Sequence, residues 1–139
     1  MTDFYYTYYL WCYILTTIFA VYLNKNNKSH VLMSLILLLD VLAPIDTTHF
    51  YSSCILIEMC VFISAIILNT VSSKIIAFLS VQMIALHIIG ATFHGEFCNS
   101  PYRYLPPITE YSEILSCILL SNPIINIIKR KMKCHLLKS

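Results

Sequence analysis

A chain of 139 residues with 58% hydrophobic residues, 12% charged residues and a mean hydropathy of +0.74 carries about half the charge of an ordinary soluble domain. That composition excludes a disordered chain, and two glycines exclude collagen-like repeats and Gly-rich phosphate loops. The net charge of +2 says little by itself, whereas the placement of the charges says a great deal.

The hydrophobic stretches predict an all-α, polytopic membrane protein: one transmembrane helical domain over residues 1–139, a bundle of about five helices, with 129–139 as a basic cytoplasmic tail. The first helix is expected over about 5–23. An acid and no basic residue precede it, so no cleavable signal peptide is expected. The second, about 30–46, is short and contains Pro44, and the third covers about 53–69. The fourth covers about 74–94. The long connection that follows carries Pro101, Pro106 and Pro107, which leave little room there for a regular element. The fifth, about 111–128, contains Asn122 and Pro123, where a kink or re-entrant turn is expected.

Lys25, Lys28, Lys74, Lys129, Arg130, Lys131, Lys133 and Lys138 all fall in every second gap between these stretches, leaving only Arg103 in the others. The bias of Lys and Arg toward cytoplasmic loops therefore predicts five crossings with the N-terminus out and the C-terminus in, a topology that fits a bacterial inner membrane. Aromatic residues gather toward the opposite, outer ends, and Tyr8, Trp11, Tyr102, Arg103 and Tyr104 are the expected outer interaction surface. The basic tail is expected to meet anionic lipid; as part of a membrane protein with a single ring, His135, it gives no reason to expect nucleic acid.

Ionisable groups within membrane segments are costly and mark function by default. Asp40, Glu58, His87 and His94 form such a set, all in the expected outer half. Residues seven apart share a helix face, so Ser80, His87, Ala91 and His94 predict a seam on the fourth helix, with Asp40 or Glu58 facing His87. No HExxH, CxxC or CxxCH spacing occurs, and neither a metal nor another cofactor is expected. Cys54 and Cys98 lie near the lysine-poor side, where an oxidising compartment would allow a disulfide between them.

With no catalytic motif, the expected role is non-enzymatic: an interaction or modulator protein whose partner is another membrane protein or a second copy, met on the outer aromatic face. An alternative is proton or ion translocation through Asp40, Glu58, His87 and His94. A second alternative is a holin-like pore former. The small size and basic tail resemble phage holins and exclusion proteins, in size and topology only.

Overall fold

The computed structural model describes residues 2–46, 48–93 and 105–136, with the side chains of 7–46, 48–93 and 105–134. Six helices are described: α1 (Thr2–Leu23), α2 (Lys28–Leu42), α3 (Phe50–Leu68), α4 (Val71–Thr92), α5 (Leu105–Leu119) and α6 (Asn122–Leu136). Two of them, α3 and α4, are long and apolar enough to cross a membrane, and α5 with α6 makes a third if that bent pair is one span. Over its described side chains, Thr7–Leu23, α1 is a shorter apolar helix. The 15 residues of α2 reach about 22 Å against a hydrocarbon core of about 30 Å.

Local chemistry sets each boundary. Asn27 Oδ1 accepts from the His30 amide to start α2. Pro44 ends it by holding Ala43 extended at φ −61°, ψ 134°. Asn69 closes α3 in the left-handed conformation, at φ 46°. Thr70 and Ser73 then open α4 with a reciprocal capping box, so the two candidate spans α3 and α4 join through two residues. Asn69→Gly should leave stability unchanged within about 0.5 kcal/mol, and Asn69→Val should lower it by about 1–2 kcal/mol, read by thermal unfolding in detergent.

The last part of the chain differs from expectation. Helix α5 begins at Leu105, so the segment that should hold no regular element contains its first turn. Pro106 and Pro107 occupy that turn, where their missing amides have no intrahelical role. The expected helix at 111–128 is broken at Leu120 and Ser121, and α6 leaves at 63° to α5. Every side chain from Asn126 to Cys134 is exposed.

Helix α5 packs against α1, α2 and α4, and α3 and α4 lie along one another. Tyr9 bonds to Glu110 near one end and Asn24 to the Cys117 carbonyl near the other, so α1 and α5 run parallel. The Cys117 thiol sits among the hydroxyls of Ser34, Ser72 and Ser116, which brings the starts of α2 and α4 to the same end. Lys25 in the α1–α2 turn, Lys28 and Lys74 in the first turns of α2 and α4, and the start of α6 thus share one end of the bundle.

Polar and apolar residues are equally numerous in the described interior, twelve of each, while 31 large hydrophobic side chains are exposed. Burial of that kind suits lipid, where apolar surface gains nothing by facing inward and polar groups hold helices together.

Candidate functional site

A column of polar side chains runs beside α5. At the end away from the lysines, Tyr9 Oη donates to Glu110 Oε2 at 2.6 Å. The rings of Tyr9, Tyr13 and Tyr111 lie 6.0–6.3 Å apart, centre to centre, and enclose that region. Thr16 and Tyr111 share a hydrogen bond of 2.9 Å, which fixes the third ring to α1. One turn after Glu110, Glu113 is fully buried and accepts from Ser80 Oγ at 3.3 Å. Glu58 on α3 lies against the same hydroxyl.

Asp40, Glu58, Glu110 and Glu113 are within electrostatic range of one another. Among the described residues no lysine or arginine is buried beside them. Glu58 Oε2, Glu113 Oε2 and Tyr13 Oη are buried without a hydrogen-bond partner. A carboxylate so placed is costly unless a proton or a cation neutralises it. The described His, Cys, Asp and Glu side chains form no group of three or more that could hold a metal ion.

Toward the lysine end the column continues as hydroxyls and a thiol. Ser34, Ser72, Ser73, Ser116 and Cys117 are all buried. It ends at Asn24, whose Nδ2 donates to the carbonyls of Ala20 and Cys117 at 2.9 and 3.0 Å. Asn24 Oδ1 lies 3.3 Å from His30 Nδ1. At the break after α5, the Leu120 and Ser121 amides turn to the carbonyls of Ser116 and Ile118, and Asn24 serves the Cys117 carbonyl between them. A side chain from the turn just after α1 thus caps α5.

Of the expected polar set, Asp40 is half-buried and Glu58 and His87 are buried. Glu58 meets Glu113 at Ser80. Ser80 and His87 do share the buried face of α4, but Met83 and Gly90 complete it and Ala91 is exposed. His94 lies outside the described residues, as do Tyr102, Arg103 and Tyr104. So does Cys98, and Cys54 is buried in α3. Tyr8 and Trp11 point outward from α1, at 66% and 61% exposure.

The sequence reading misses Glu110, Glu113, Tyr9, Tyr13 and Asn24. The signal for the two glutamates is the Pro106–Pro107 pair: read as a first turn rather than a breaker, it places Glu113 about two turns into a helix.

No protein-family model matches this chain, and neither does any curated protein or solved structure.

Proposed function

We propose that this chain is a non-enzymatic, multi-pass membrane protein that takes up protons in its interior and passes them along the polar column. It crosses five times, through α1 to α5, with the carboxyl and tyrosine end outside and the lysine end in the cytoplasm. The observation that carries this reading is Glu113, fully buried with one oxygen on Ser80 and the other without a hydrogen-bond partner, beside three more carboxyls and with no buried lysine or arginine among the described residues. A mobile charge supplies the neutralisation in this reading, and the proton needs no cavity. Paired carboxyls sharing protons are a recurrent device for holding one where it is otherwise unstable. Ser80, Cys117, Ser116, Ser34 and Ser72 supply exchangeable hydrogens toward Asn24 and His30.

The test is proton entry into proteoliposomes driven by a potassium diffusion potential, with an internal pH dye. Wild-type vesicles should acidify faster than empty ones, and Glu113→Gln should slow the excess by roughly 100-fold, the usual order for removing a positioned proton carrier. Wild-type vesicles no more permeable than empty ones would reject it.

A second reading keeps the outer aromatic surface. On α1 the tyrosines divide, Tyr9 and Tyr13 packing inward while Tyr8 and Trp11 face out, which leaves an indole and a phenol for another membrane protein or a second copy of this chain.

A further inference from the structure

The bend of 63° takes α6 away from the line of α5, and its charges and apolar residues are sorted around it. Ile124, Ile125, Ile128 and Met132 fall at helical spacing on one face, with Asn122, Asn126, Lys129 and Lys133 on the adjoining one. Lys129, Arg130, Lys131 and Lys133 are all exposed. A helix that completed a crossing would not place four cations within five residues in hydrocarbon, at a cost of about 2.5–3.5 kcal/mol for each near the centre. The neighbouring surface has the same sign. Lys25, Lys28 and Lys74 are exposed at this end, and the α1–α2 turn and the start of α6 together line a groove through Asn26, Asn27, Asn122 and Asn126. The described acidic side chains nearest the column lie toward its other end, at Glu110 and Glu113.

We infer that α6 is an interfacial helix: it lies in the headgroup plane of an anionic leaflet, isoleucine face toward the acyl chains and cations on lipid phosphates. Ile124 packs against the bundle core, whereas Ile128 and Met132 are exposed. The occupant of that exposed part of the face is phospholipid, because charge complementarity and the apolar stripe are satisfied together by a membrane surface and by no soluble anion. The inference needs membrane insertion only, and it stands whether or not the interior carries protons.

The test uses the full chain carrying Trp11→Phe and Met132→Trp, so that the single indole reports on the apolar stripe of α6. Reconstituted in vesicles of phosphatidylcholine with and without phosphatidylglycerol, it is read by emission wavelength and by quenching with bromines placed at different acyl depths. The expected result is a blue shift and shallow quenching that need phosphatidylglycerol and weaken in high salt. Replacing Lys129 and Lys133 together by Gln should lower the partition of α6 roughly 25-fold, about fivefold per cation at about 1 kcal/mol each. Two results overturn the inference. Equal deep quenching in both lipids would make α6 part of a crossing, and water-like emission in both would leave it in solution.

Discussion

Asn24→Leu is expected to destabilise the bundle by about 1–3 kcal/mol, measured by denaturant titration in mixed micelles. Interhelical hydrogen bonds in membrane proteins average only about 0.6 kcal/mol, so the loss of the bond to α5 is the smaller part. The larger part is what remains behind. The Cys117 carbonyl sits at the break between α5 and α6, where the adjacent amides have gone to Ser116 and Ile118, and leucine gives it no donor. His30 loses its contact with Asn24 as well. Asn26→Leu, in the same turn but exposed, serves as the control and should shift stability by no more than about 0.5 kcal/mol. Equal effects at the two positions would mean that the turn, rather than the cap, is what matters.

Glu113→Leu should do the opposite, raising the unfolding midpoint while abolishing proton entry. The substitution removes a buried oxygen that has no partner, and relief of that desolvation is worth about 1–3 kcal/mol. The hydrogen bond it forfeits, from Ser80 at 3.3 Å, is long, and Glu58 remains beside the same hydroxyl. Exchanging buried polar groups for apolar ones of similar volume is often neutral or stabilising. A gain in stability with a loss of transport marks a residue kept for function. Should Glu113→Leu instead unfold the protein while Glu113→Gln transports normally, the carboxyl would be a structural staple and the proton reading would fall.

The apolar runs place α1, α3 and α4 within three residues of where they lie, because a long run of large apolar residues without Pro has few alternatives to a helix. Helix α2 ends four residues earlier than expected, since the restraint by Pro44 acts on Ala43 and not only on the proline itself. The charge alternation also anticipates which turns share an end. The site was less legible. Asp40 and Glu58 are recognisable as acids inside apolar runs, but their companions come from α5, whose start depends on whether two prolines break or begin a helix. The buried serines carry no signal in hydropathy, because a single hydroxyl costs an apolar run little. Asn24 is hidden for a different reason: it stands among Asn26 and Asn27 beside two lysines, and nothing in one dimension separates the asparagine that faces α5 from its exposed neighbour.

The bond from Asn24 to Cys117 spans 93 positions of chain, and the one from Tyr9 to Glu110 spans 101. Biogenesis inherits that separation. When α1 and α2 leave the ribosome, the helix that will cover Asn24 and Ser34 is still unsynthesised, and these polar groups stay uncovered until α5 arrives. The bundle therefore closes late, from both termini at once. A chain truncated before Leu105 would retain its long α3–α4 hairpin yet present an open polar seam.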